Sequence, residues 1–364
     1  MPATPEATRR YADRMKSVTA PSHFSEQQGL MMSSIGAGTY LGEADSQTDE
    51  NYRTALALAV ANGVNVLDTA INYRFQRSER AIGQVLQDLS GSGNVSRDEL
   101  ILATKAGYLT FDGERPQNPR DYFMETFVTP GIIGPHDIVA GSHCMTPLYL
   151  QHQLDQSLRN LGVHTIDIFY VHNPETQLAE MDRDEFYKRL RVAFGFLEGA
   201  VSSGKIRMYG TATWNAYRVA PESQDYISIE DAVQCARDIA GDGHHFRAVQ
   251  LPYNLAMTEA YTTANQKLEG KVVTTLEACR ELGITVMASA SLLQSRLSSN
   301  LPEFVSELFP GLKTDSQRAI QFVRSTPGIG VALVGMSRIA HVKENLFVST
   351  IPPAPGPATA SPDA

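Results

Sequence analysis

Val64-Asn65-Val66-Leu67-Asp68-Thr69-Ala70-Ile71-Asn72-Tyr73 is an apolar run that gives out on a carboxylate and then delivers a phenol. A short apolar run of this kind reads as a strand buried on both faces, as strands of a parallel sheet are. Two later runs end in the same manner, Ile101-Leu102-Ala103-Thr104 on Lys105 and Ile168-Phe169-Tyr170-Val171 on His172. Parallel strands bring their C-terminal ends to one rim, so Asp68, Tyr73, Lys105 and His172 become candidates for one site.

Working outward, runs rich in Val and Ile alternate with stretches of helical period, the mark of βαβ units. The strand candidates are Ser34 to Thr39, Asn65 to Thr69, Leu100 to Lys105, Asp167 to His172, Ile206 to Thr211, Ala248 to Leu251, Thr285 to Ser289 and Val331 to Gly335. Eight strands close a (β/α)8 TIM barrel, and that is the expected fold. Between them, Ser78 is placed to cap a helix carrying Ile82, Val85, Leu86 and Leu89 on one face. Thr146-Pro147 opens another, lined by Leu150, Leu154, Leu158 and Leu161 and closed by Gly162. A third starts near Asp184 and stops at Gly204, and a fourth is opened by Ser228.

One connection breaks the rhythm. Residues 107–145, after the third strand, are far longer than the usual two to six residues of a βα loop. Tyr108, Phe111, Tyr122, Phe123 and Phe127 make this segment too aromatic for a disordered linker. It is expected to be an ordered excursion over the barrel mouth with a short helix near Arg120 to Thr126, the alternative being an edge cover without substrate contact. The domain reading is therefore an extension at 1–28, one barrel at 29–350 and a Pro/Ala-rich disordered tail at 351–364.

Composition sets bounds on function. With 42% apolar and 20% charged residues the chain can bury a large core, and a net charge of -9 without a basic stripe argues against nucleic acid. Three cysteines without paired spacing suit a reducing compartment, and no stretch reads as a leader or membrane span, so a cytoplasmic location is expected.

The four strand-end residues share a chemical logic. An ammonium ~4 Å from a phenol at an effective dielectric of ~20 is worth ~4 kcal/mol, which would draw the phenol from its ordinary pKa of ~10 toward neutrality. Asp68 would hold the Lys105 ammonium, and His172 would hydrogen-bond the oxygen being protonated. Such a group protonates a carbonyl oxygen or deprotonates an alcohol.

Gly63 through Tyr73, followed by Ser78-Glu79 and Ile82-Gly83, resembles the signature of the aldo-keto reductase family, and the resemblance runs from about Ile35 to Asn345. It implies hydride transfer between a nicotinamide cofactor, NADP(H), and a small aldehyde, ketone or sugar lactol, with Tyr73 as general acid/base and Asp68, Lys105 and His172 completing a catalytic tetrad. It also implies cofactor contacts. Gly38, Thr39 and Tyr40 would lie near the nicotinamide, Thr213 and Gln250 at its carboxamide, and Ser291, Leu292 and Gln294 along the pyrophosphate. Ser337, Arg338, His341, Glu344 and Asn345 would clasp the adenosine end, where a guanidinium suits a 2′-phosphate. Ala212, Ser291 and His341 depart from the family's commoner residues. A small-molecule carbonyl or alcohol is the expected partner.

Other chemistries fare less well. His136, His143 and Cys144 share the long loop, but their spacing fits no standard zinc pattern. No Gly-x-Gly-x-x-Gly turn suggests a Rossmann dehydrogenase, and no Gly-x-Ser-x-Gly elbow suggests a hydrolase. The main alternative is a cofactor-binding regulatory protein resembling the potassium-channel β-subunits of the same family.

Overall fold

The computed structural model describes residues 1–354. Eight parallel strands form a closed barrel: β1 (Ile35–Gly38), β2 (Val66–Asp68), β3 (Ile101–Ala106), β4 (Ile166–His172), β5 (Ile206–Ala212), β6 (Phe246–Pro252), β7 (Thr285–Ser289) and β8 (Ile329–Gly335). All eight expected strands are present, and their order follows the chain, with β8 pairing β1 to close the ring. The helices that return each strand are α1 (Ser46–Ala61), α2 (Arg77–Ser92), α3 (Pro147–Leu161), α4 (Arg183–Ser202), α5 (Ile229–Ala240), α6 (Thr275–Glu281), α7 (Asp315–Ser325) and α8 (Ile339–Leu346).

Capping chemistry sets most helix starts. Asp45, Asp182 and Ser228 accept backbone N–H groups at the starts of α1, α4 and α5, and Gly162 ends α3 in the left-handed conformation. Ser78 does not cap α2. That helix starts from Gln76 in a left-handed conformation, and the Ser78 hydroxyl instead donates to the Thr39 carbonyl at 2.8 Å. The Ser78 hydroxyl thereby ties α2 to the turn after β1.

Two apolar layers result. Inward-facing Val66, Ile101, Ala103, Ile168, Met208, Met287 and Val331 fill the barrel, and a second cluster lies between strands and helices. The N-terminal segment joins the first layer through Ala3, Leu30 and Met32. A helix at Pro5–Met15 and a hairpin of Phe24–Gln27 with Leu30–Ser33 close that end of the barrel, and the 28/29 boundary falls in the hairpin's turn. A second hairpin, Ala264–Leu268 with Lys271–Thr274, interrupts the β6–α6 connection. Neither hairpin stands out in the sequence, because neither carries a long apolar run.

Residues 107–145 fold as an ordered unit. A helix at Pro119–Phe123 runs into a π-turn at Met124–Val128, and Phe127, Ile133 and Cys144 pack with Tyr149 of α3 into a small core of their own. The tail expectation needs revision at its start. Ile351, Pro352 and Ala354 are held by hydrogen bonds to Arg324, Gln321 and Ser325, whereas 355–364 lie outside the described residues.

Candidate active site

The C-terminal rim assembles the predicted residues as neighbours. Pairing sets Asp68 beside Ala103, Lys105 beside Tyr170 and His172 beside Ala212, so the ionisable side chains stand on adjacent strands. Lys105 is fully buried, and its Nζ donates to Asp68 Oδ1 and to the Thr69 carbonyl, each at 2.7 Å. The second Asp68 oxygen accepts from Gln250 Nε2 at 2.8 Å. Lys105 Nζ lies 4.9 Å from the centre of the Tyr73 ring, and His172 meets the same ring edge-on at 5.9 Å.

The loop after β2 explains how Tyr73 reaches this position. Arg74, Phe75 and Gln76 all take positive φ, of 49°, 55° and 73°, a costly run for residues other than glycine. Arg74 fixes it. Its guanidinium donates to the Glu43 carbonyl at 2.7 Å and pairs with Asp49, while lying 5.4 Å from the Tyr52 ring centre. Tyr40 meets the Tyr73 ring edge-on at 5.0 Å.

The protonation states follow from burial and neighbours. Burial pushes the Tyr73 phenol above its ordinary value, the Lys105 charge pulls it down and Asp68 raises it again, so the net shift is upward. The expected drift toward neutrality is therefore not found, because desolvation of a phenolate outweighs the ammonium beside it. Burial opposes the Lys105 charge, but Asp68 and Tyr73 hold its pKa above the ordinary value. Burial, then Lys105 and then His143, hold His172 well below 6.5. The resting site at neutral pH thus has a phenol, an ammonium and a neutral imidazole.

Asp68, Tyr73 and His172 border a cavity of about 320 Å³, with Lys105 buried behind them. Gly38, Thr39, Tyr40, Thr213, Gln250, Ser291, Leu292 and Gln294 all line it. Ser337, Arg338, His341, Glu344 and Asn345 do not. They occupy the turn after β8 and helix α8, with Arg338 and His341 exposed, Asn345 buried and the Glu344 carbonyl accepting from Gln317.

The cavity wall has features suited to a dinucleotide. Ala290, Leu293, Gln294 and Ser295 take positive φ, and the N–H groups of Leu292, Gln294 and Ser295 find no partner among the described residues. Successive free N–H groups in such a turn form a concavity that favours anions. Exposed Arg338 immediately precedes α8, whose first turn adds further N–H groups.

Several lining residues escaped the sequence reading. Asn72 has a buried amide oxygen without a partner among the described residues, and Tyr108, Asn173 and Trp214 also line the cavity. Glu175 is buried behind them, accepts from the Trp214 and Asn215 N–H groups at 2.6 and 3.2 Å, and is pushed up by burial to about 7. Position beside Tyr73 was a usable signal for Asn72, as was being the chain's single tryptophan for Trp214. Tyr108 is the residue of the long excursion that reaches the cavity.

A sequence model described as the aldo/keto reductase family matches residues 34–304. A 6-dehydroglucose reductase of Novosphingobium aromaticivorans is 28% identical over 214 residues, covering 57% of this chain and 56% of that protein. The chain thus spans about half the length of that curated relative. Among solved structures, an aldo/keto reductase of Klebsiella pneumoniae in complex with NADP and acetate superposes with a TM-score of 0.59 at 20% identity, covering 94% of this chain and 96% of that one. A glycerol dehydrogenase of Gluconobacter oxydans gives 0.60 at 18% identity, covering 94% and 99%. At those identities the structural likeness speaks for the barrel.

Proposed function

Because the chain belongs to the aldo/keto reductase family, we propose that it is an NADP(H)-dependent oxidoreductase that reduces a small aldehyde, ketone or sugar lactol, or oxidises the corresponding alcohol. The observation that carries this reading is the buried Lys105 ammonium, held between Asp68 and Tyr73, two residues that themselves line the rim cavity. When bound, the nicotinamide would supply the hydride that reaches the carbonyl carbon.

The chain's own residues would do the rest. Tyr73 keeps its proton at neutral pH and gives it to the carbonyl oxygen. Lys105 stabilises the phenolate that remains, and Asp68 keeps the ammonium in place while Gln250 holds the second carboxylate oxygen. Neutral His172 offers a ring nitrogen to the same oxygen. The turn at 290–295 and the Ser337-Arg338 pair, with Arg338 exposed, would bind phosphates, the guanidinium favouring NADP(H). The sugar end of the substrate range has support from the 6-dehydroglucose reductase relative.

Tyr73→Phe tests the assignment. Mixing the wild type with NADPH is expected to quench nicotinamide fluorescence, and the variant should retain that quench while losing roughly 10²–10⁴-fold in carbonyl reduction. Failure to bind any nicotinamide dinucleotide at micromolar concentration, or wild-type turnover in the variant, would overturn the proposal.

A further inference from the structure

His143 takes no part in the chemistry proposed above, yet it is completely buried in the neck of the 107–145 excursion. Its hydrogen bonds fix both its tautomer and their direction. Arg189 Nη1, on α4, donates to Gln177 Oε1 at 3.2 Å, and a guanidinium can only donate. Gln177 therefore turns its amide nitrogen to His143 Nδ1, at 2.9 Å, so Nδ1 accepts and the proton sits on Nε2. Nε2 lies 2.7 Å from the main-chain carbonyl of His172, to which it donates. Burial pushes the His143 pKa down to about 4, which keeps the ring in this neutral form.

The surroundings are shaped around that last bond. A Cβ on Gly107 would fall 2.6 Å from the His172 carbonyl oxygen and 2.7 Å from His143 Nε2, so only glycine leaves the bond room. Tyr108, the next residue, meets both histidine rings edge-on at 5.2 Å. Its hydroxyl is fixed by Asn173 and Thr176, each at 3.1 Å. The neck is shut by Cys144 N–H to the Gly107 carbonyl and Leu109 N–H to the Ser142 carbonyl, both at 2.8 Å. His172 Nδ1 has no hydrogen-bond partner among the described residues, so packing and the tether on its carbonyl set the direction of its ring.

We propose that His143 is a positioning residue: the Arg189–Gln177–His143 chain holds the end of β4 so that the His172 ring faces the reacting oxygen. The excursion after β3 thereby acts on the rim through its neck. The kinetic part of this proposal rests on the hydride-transfer reading, whereas the orientation of the His172 ring does not.

Imidazole NMR of the full chain, with the His172 signals assigned by His172→Asn, reads orientation directly, and steady-state reduction of a carbonyl panel with NADPH reads its consequence. His143→Leu should shift the His172 ring signals and lower kcat roughly 10–100-fold, the scale seen when a group that orients a metal-ligating histidine is lost. NADPH quenching should survive. His143→Gln, which restores an N–H near the Nε2 position, should recover most of both effects, and Gln177→Leu should reproduce a milder form of the defect. Unchanged His172 signals in His143→Leu, or a His143→Gln variant as impaired as His143→Leu, would overturn the proposal. Should His143→Leu fail to fold, Gln177→Leu decides alone, with unshifted His172 signals counting against it. A wild type that reduces no carbonyl would sink the hydride-transfer reading and leave the NMR comparison standing.

Discussion

At the scale of single residues, the clustering of Asp68, Lys105 and His172 was legible because each ends an apolar run that a parallel barrel turns toward one rim, and Tyr73 because it follows Asp68 in the next turn. Asn72, Tyr108, Trp214 and Glu175 were not, since they sit in connections whose course no periodicity encodes. Glu175 shows what such a residue can contribute. Its Oε1 holds the Trp214 and Asn215 N–H groups while Oε2 is buried without a partner among the described residues, so ionisation is opposed by burial. The folded chain binds this proton more tightly than the unfolded one. Its contribution to stability is therefore complete below the ordinary value of 4.5 and is lost as the pH rises toward about 7. That interval corresponds to at most ~3 kcal/mol. Glu175→Gln keeps an acceptor for both N–H groups and cannot ionise. Its denaturation midpoint relative to the wild type should therefore move in the variant's favour between pH 5 and pH 8. A difference that stays flat across that range would show that Glu175 is not held protonated.

At the scale of elements, strand positions were readable to within a residue or two because fully buried parallel strands are almost continuously apolar. The left-handed stretch at 74–76 was not, since Arg, Phe and Gln carry no signal for positive φ. Its cause lies in contacts with Glu43, Asp45 and Asp49 that only the folded chain assembles. The α2–α3 contact is another product of assembly. Gly83 sits inside α2, where alanine would ordinarily gain ~1 kcal/mol of helix propensity. Here a Cβ would come within 2.5 Å of the Asn160 carbonyl oxygen and 3.2 Å of Leu161 Cα, both backbone atoms at the end of α3. Overpacking of that kind costs ~1–3 kcal/mol, more than the propensity returns. Gly83→Ala should accordingly lower the urea midpoint, and a variant more stable than the wild type would show that α3 moves aside freely.

At the scale of the whole molecule, the candidate site lies at the C-terminal rim of the barrel and the N-terminal segment packs at the opposite end, the end that barrels of this kind give over to stability. Ala3 is buried against the barrel interior, its N–H donates to Asp167 Oδ1 at 2.7 Å, and its carbonyl accepts from Arg207 at 2.7 Å. Arg10 and Arg14 neutralise buried Glu99, and Tyr11 and Met15 bury their side chains against the helical layer. The sequence showed only a polar stretch before the first strand, because the partners of these residues lie as far away as Asp167 and Arg207. Removing residues 1–16 would expose Tyr11's and Met15's contact surfaces, worth ~1.5–3 kcal/mol each, and leave Asp167 Oδ1 and Glu99 without these partners. The thermal midpoint of the truncated chain should fall by roughly 10 °C or more. The rim lies at the far end of the strands, so NADPH quenching below that midpoint should be preserved. Loss of quenching in a chain that remains folded would mean that the barrel transmits strain along its whole length and that the two ends are not independent.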